Sequence, residues 1–194
     1  MLVELIQDLE QETQAHLERE ERFISSQVNW KQYEALLEKL QDNSYYRLTY
    51  LEGVLEIVSP SRRHEQDKER IGTLLEVYFE ETDIEYFPLG STTFRKQEQK
   101  GGTEPDKSYC IGTEKEFPDL TIEVVLTSGG VDKLAVYKRL GVSEVWFWED
   151  AQFSLYCLRN NKYELSSYSE LLSNLDLALL AEYVQYSNPL LAVK

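Results

Sequence analysis

At 194 residues, with 42% hydrophobic and 12% aromatic residues, the chain is long enough for one cored domain plus an extension, and too apolar for intrinsic disorder. Its formal charge of −15 works against loose electrostatic capture of nucleic acid by the whole molecule, so any such activity must rest on a local site and a bound cation. Cys110 and Cys157 sit in apolar, strand-like runs without metal-ligand spacing, read as buried free thiols, and fit a reducing cytoplasm.

Residues 1–24 are expected to form a helical extension. Leu2, Leu5, Ile6 and Leu9 draw a narrow apolar stripe that fades into the charged run 18–22, a pattern suited to packing or self-association. This segment lacks the basic and continuous apolar regions of a signal peptide, and no run in the chain approaches the length of a membrane span.

Residues 25–194 read as one domain. Trp30, Tyr33, Leu36, Leu37 and Leu40 recur at helical spacing, and Asp42-Asn43-Ser44 ends that helix. Strands over 45–50 and 54–58 join through Glu52-Gly53, a hairpin turn. Ser59-Pro60-Ser61 breaks the chain. The helix over 64–81 then places Ile71, Leu74, Leu75, Tyr78 and Phe79 on one face, with His64 starting it on the side toward a sheet.

Short strands follow over 84–87, 91–95, 108–111 and 120–126. Residues 96–103, charged and containing Gly101-Gly102, are expected as a mobile loop. After Ser128-Gly129-Gly130 a helix runs over 131–140 and stops at Gly141. Strands over 145–148 and 153–158 come next, a third follows Asn160-Asn161, and a leucine-rich helix is expected over 169–181. Val145-Trp146-Phe147-Trp148 reads as a core strand, with a homodimer interface as the alternative. The order of elements implies an α/β fold of the α+β kind, a mixed central sheet flanked by helices. There is no glycine-rich phosphate loop and no GxSxG elbow.

The chemistry concentrates between residues 104 and 133. In the strand 120–126, side chains alternate faces, so Leu120, Ile122, Val124 and Leu126 form an apolar face while Asp119, Thr121, Glu123 and Val125 share the other. A carboxylate between Ile122 and Val124 demands a partner, either a cation or an inward salt bridge to Lys133. Asp106 lies 17 positions before Glu123, room for a strand, a loop and an antiparallel return. The two carboxylates would then reach one Mg²⁺, or Mn²⁺ in its place, with Asp119 as a further ligand. Lys133 would point back at the site to orient water and stabilise phosphate charge, and His64 would contact phosphate or assist proton transfer. Taken singly, each residue has a plainer reading. Asp106 would be a surface residue, Asp119 a turn residue or one that holds its loop by backbone hydrogen bonds, His64 a helix-start residue and Lys133 a solvated lysine.

The order Asp, then Glu on the next strand, then Lys resembles the PD-(D/E)XK nuclease superfamily. More closely, the chain is similar to the Uma-type endonuclease family. The matching pieces are Tyr50-Leu51-Glu52-Gly53, Leu55-Glu56-Ile57-Val58-Ser59-Pro60, Arg63-His64-Glu65, Glu104-Pro105-Asp106, Pro118-Asp119-Leu120 with Glu123-Val124, Lys133 with Tyr137, and Gly141-Val142 with Glu144-Val145-Trp146. The resemblance implies a restriction-endonuclease-like core and magnesium-dependent cleavage of DNA, with Asp106 and Glu123 as metal ligands and Lys133 as the catalytic lysine. The superfamily's lysine stands two residues after the acid, where this chain has Val125, so here the lysine must come from the helix.

Two functions from different classes follow. The first is a metal-dependent DNA endonuclease in which Arg62, Arg63, Arg95, Lys96 and Lys100 add phosphate contacts. The second is a nuclease-like binding or regulatory module without turnover, which the net charge and Val125 favour.

Overall fold

A computed structural model describes residues 20–40, 45–127, 129–186 and 188–192, which hold eleven strands and five helices. The apolar stripe at residues 2–9 lies outside them. Residues 21–24, expected as the end of a helix, instead belong to strand β1, Glu21–Ser25, which pairs antiparallel with β3, Val54–Ser59. The high charge of this run hid the strand, because ladder pairing and not an apolar face holds it.

Helix α1, Trp30–Leu40, is where its periodicity places it. Its Tyr33 and Leu37 pack on Leu48 and Tyr50 of β2, Arg47–Leu51, and on Leu55 of β3. The β2–β3 hairpin turns at Glu52 and Gly53, whose φ angles of 47° and 94° are the left-handed pair that a two-residue turn requires. Helix α2, Arg62–Glu81, is capped by Ser61, whose Oγ accepts the His64 amide at 3.2 Å.

Strands β4 (Tyr86–Pro88), β5 (Phe94–Lys96), β6 (Gly101–Thr103), β7 (Lys107–Ile111) and β8 (Leu120–Val124) follow. The loop expected over 96–103 is therefore mostly a hairpin, and β6 is buried throughout. Its glycines permit this packing. A Cβ on Gly102 would stand 2.6 Å from the Tyr33 hydroxyl, and one on Gly101 would stand 3.1 Å from Arg139 Cδ.

Helix α3, Lys133–Leu140, starts at the Asp132 cap and ends at Gly141, φ 84°. Strands β9 (Glu144–Glu149), β10 (Gln152–Arg159) and β11 (Lys162–Ser166) complete the ladder, and helices α4 (Leu177–Val184) and α5 (Pro189–Ala192) end it. The helix expected over 169–181 begins only at Asp176. Before it, residues 169–172 turn around the buried Glu144 carboxylate, which accepts the Glu170 and Leu171 amides at 2.5 and 3.0 Å.

The strands form two sheets, ordered β1-β3-β2-β6-β5 and β11-β10-β9-β8-β7-β4. The second is mixed, since β8 and β9 run parallel and its other pairs are antiparallel. On one of its faces Ile71, Leu75 and Phe79 of α2 and Leu180 of α4 cover Tyr109, Leu120, Ile122, Val124 and Trp146. Val136, Tyr137 and Leu140 of α3 pack with Val145 and with Phe94 of the first sheet. Strand β8 is thus buried on both faces, and α3 wedges between the sheets. Cys110 and Cys157 are buried free thiols, as expected. No helix among the described residues is long and apolar enough to cross a membrane.

Candidate active site

Glu104-Pro105-Asp106 is the link by which the chain leaves the first sheet at β6 and enters the second at β7, so Asp106 stands at the seam of the two sheets. The β7–β8 register pairs Lys107 with Ile122 and Ser108 with Thr121. One step further it sets Asp106 opposite Glu123, and residues directly opposite in an antiparallel pair project to the same face. The Val124 amide donates to Asp106 Oδ2 at 2.8 Å and locks this alignment. Both acids are buried, at 3% and 6% exposure, so the surface reading of Asp106 does not hold.

Asp132 caps α3 by accepting the Ala135 amide at 3.0 Å, which makes Lys133 the first helical residue. Lys133 Nζ reaches Glu123 Oε1 at 3.3 Å and Thr103 Oγ1 at 3.3 Å, and its side chain is only 18% exposed. Tyr137, one turn on and on the same helix face, donates its hydroxyl to the same Glu123 oxygen. From the other side α2 delivers His64, whose Nε2 lies 3.1 Å from Asp106 Oδ2. The fold thus brings His64, Asp106, Glu123 and Lys133 together. The inward salt bridge weighed for Glu123 is present, and its partner is the lysine expected to act there.

Asp119 is not among them. It stands four residues before Glu123, about 13 Å away along an extended strand. Its carboxylate accepts the Ile111 amide at 2.8 Å and Lys115 Nζ at 2.6 Å, so it fixes the β7–β8 connection. The plainer reading, a residue that holds its loop, describes it. Of the cations assigned to phosphate, Lys96 donates to the Leu140 carbonyl at 2.7 Å and lies over the Phe117 ring, while Arg62, Arg63, Arg95 and Lys100 are exposed and do not line the cleft. Arg22 and Arg47 line it instead. Neither has a sequence signal, since each depends on which face of its strand turns inward.

The cleft has a volume of about 360 Å³. Its wall includes Glu56, 2% exposed, whose Oε2 accepts the Val131 amide at 2.7 Å just before α3. Alternation along β3 carried a signal for this residue, because Glu56 interrupts the apolar run 54–58 on the face opposite Leu55 and Ile57.

The charges constrain one another. Burial disfavours an ionised Asp106, yet His64, the Val124 amide and Lys133 hold its pKa below the usual value. Burial likewise works against a charged His64, but Asp106, with help from Glu65 and Glu20, lifts its pKa to about 10. His64 is therefore a charged donor at neutral pH, poorly suited to take up a proton. Burial raises Glu123; Lys133 opposes that shift, and the Asp106 charge adds to it. The Lys133 pKa stays above its usual value despite burial, because Glu123, Glu56 and Asp106 surround it.

Two buried carboxylates set side by side, one of them resisting ionisation beside the other, form the hard-oxygen donor pair that a magnesium-like cation accepts. Among the described residues no group of three or more His, Cys, Asp and Glu side chains is arranged to hold a metal. A cation here would take Asp106 and Glu123 and fill its remaining positions with other oxygens, as magnesium does with water and phosphate.

The model of the Uma2 family, described as "Putative restriction endonuclease", matches residues 30–192. No curated protein matches the chain.

Proposed function

The chain belongs to the Uma2 family, and from that premise we propose that it is a divalent-metal-dependent endonuclease that hydrolyses DNA phosphodiester bonds in the seam cleft. The observation that carries the proposal is the placement of Asp106 and Glu123 on one face of paired strands with the Lys133 ammonium 3.3 Å from Glu123.

A cation held by Asp106 and Glu123 would supply an activated water and neutralise phosphate charge. The chain's own residues prepare the rest. His64 and the Val124 amide fix Asp106 from two directions. Lys133, held in the cleft wall by Thr103, offers a positive charge to a phosphate oxygen and a donor to the attacking water. With a net charge of −15, recognition of the polyanion is local, through Lys133, Arg22 and Arg47 in the cleft. Val125 speaks for the non-enzymatic reading, because it stands where a lysine would be expected. The ammonium that α3 brings to Glu123 supports the catalytic one.

Incubation of supercoiled plasmid with Mg²⁺ or Mn²⁺ tests the reading. Wild type is expected to nick or linearise the plasmid, and Glu123→Gln and chelator are each expected to abolish this. Equal cleavage by Glu123→Gln would overturn the assignment. Metal-induced thermal stabilisation of wild type without cleavage would favour a binding module.

A further inference from the structure

Tyr137 is fully buried, among Phe94, Val136, Leu140, Val142 and Val145. No substrate can touch it there. A phenylalanine would fill the same apolar volume, so packing does not explain the hydroxyl. A phenol O–H in such a place needs an acceptor, and this one uses Glu123 Oε1. Lys133 Nζ, one helical turn away, donates to the same atom. The two donors of α3 converge on one oxygen of a carboxylate that lines the cleft.

We propose that Tyr137 is the positioning residue for Glu123: by engaging Oε1 from the protein side it fixes the carboxylate torsion and turns Oε2 toward the cation shared with Asp106. The proposal rests on reading the carboxylate pair as a metal site. Thr103 extends the clamp. Its hydroxyl accepts Lys133 Nζ and lies 2.9 Å from Thr49 Oγ1. Glu123, a side chain of the second sheet, is thereby tied to β2 and β6 of the first. A carboxylate held at one oxygen meets a metal with its orientation already set. One free to rotate must lose that freedom on binding, and loss of such a supporting hydrogen bond typically weakens metal affinity about 10- to 100-fold.

The test uses the full chain and Mn²⁺ alone as probe. Calorimetric titration and the Mn²⁺-dependent shift in melting temperature are measured for wild type, Tyr137→Phe, Thr103→Val and the packing control Val136→Ala. Tyr137→Phe is expected to bind Mn²⁺ at least about tenfold more weakly, with plasmid cleavage moved to higher Mn²⁺ and largely recovered at saturation. Thr103→Val is expected to shift binding the same way by less. Val136→Ala is expected to melt earlier with its Mn²⁺ curve unchanged. An unshifted Mn²⁺ curve in folded Tyr137→Phe would overturn the proposal and leave the metal site standing; if Tyr137→Phe does not fold, an unshifted Thr103→Val decides in the same sense. Wild type that binds no Mn²⁺ would overturn the metal site and the proposal together.

Discussion

His64 Nε2 and the Val124 amide meet on a single atom, Asp106 Oδ2, at 3.1 and 2.8 Å. The imidazolium is thus paired with a carboxylate that the backbone also holds. In the folded chain the His64 pKa is raised to about 10, against about 6.5 when exposed. A group whose pKa rises on folding stabilises fully below its unfolded pKa and loses that contribution as pH climbs through the folded one. The metal-free protein is therefore expected to lose stability between about pH 6.5 and pH 10, as the proton leaves His64. Asp106 is depressed and contributes in the opposite sense, losing its share only in acid. Denaturation followed across this range in chelator checks the point. His64→Gln should flatten the slope, and an equally steep slope in the variant would assign it elsewhere.

Lys133→Met keeps most of the side-chain volume and removes the ammonium. Glu123 Oε1 keeps its Tyr137 hydrogen bond, and the raised pKa of Glu123 lets it take up a proton in compensation. The variant should fold. Its cleavage of plasmid at saturating Mg²⁺ should fall by about 10²–10³, the usual loss when one donor to developing charge is removed. Cleavage within about threefold of wild type at saturation would exclude Lys133 from the reaction.

Much of this was legible before the fold was known. Period-3.6 stripes located α1 and α2, Glu52-Gly53 located the hairpin, and the 17-residue separation of Asp106 from Glu123 allowed the antiparallel pairing that the β7–β8 register contains. The failures share a cause, which is dependence on tertiary context. Gly101 and Gly102 look like loop residues because glycine's use in close packing is visible only once Tyr33 and Arg139 are in place. Residues 21–25 carry no apolar face, and only β3 makes them a strand. Asp119 follows a proline and shares strand parity with Glu123, which suits a ligand as well as a loop anchor, and only the position of Lys115 separates the two.

The contact between Gly102 and Tyr33 carries a stability prediction. A Cβ at residue 102 would meet the Tyr33 hydroxyl at 2.6 Å, its Cε1 at 3.1 Å and Arg95 Cβ at 3.0 Å. Gly102→Ala should therefore cost about 1–3 kcal/mol, the range for overpacking a core. The Tyr33 hydroxyl is buried and has no hydrogen-bond partner among the described residues, so Tyr33→Phe should be neutral or stabilising. The double variant should recover part of the loss, because the nearest obstructing atom is gone. Denaturant unfolding of the four proteins measures the coupling, and strict additivity would show that the backbone moves rather than the ring.

Glu144, 1% exposed, holds the C-terminal segment against the second sheet. Its carboxylate accepts Ser169 Oγ at 2.7 Å, Trp146 Nε1 at 3.0 Å and the Glu170 and Leu171 amides at 2.5 and 3.0 Å. Glu144→Ala leaves these buried and part-buried donors without their acceptor, at about 1–3 kcal/mol for each that finds no substitute. A loss of about 3–5 kcal/mol is the expectation, with proteolysis near residues 169–176 rising as the turn opens. Glu144→Gln should be milder, because its amide oxygen can still accept although its NH₂ faces donors. The parallel register sets Glu144 beside Leu120, at the end of β8 away from Glu123, so the two sites are separated along the strand. Cleavage per folded molecule should then match wild type below the new melting point. A variant as stable as wild type would mean that water or another side chain satisfies the four donors, and that Glu144 is not what fixes the turn.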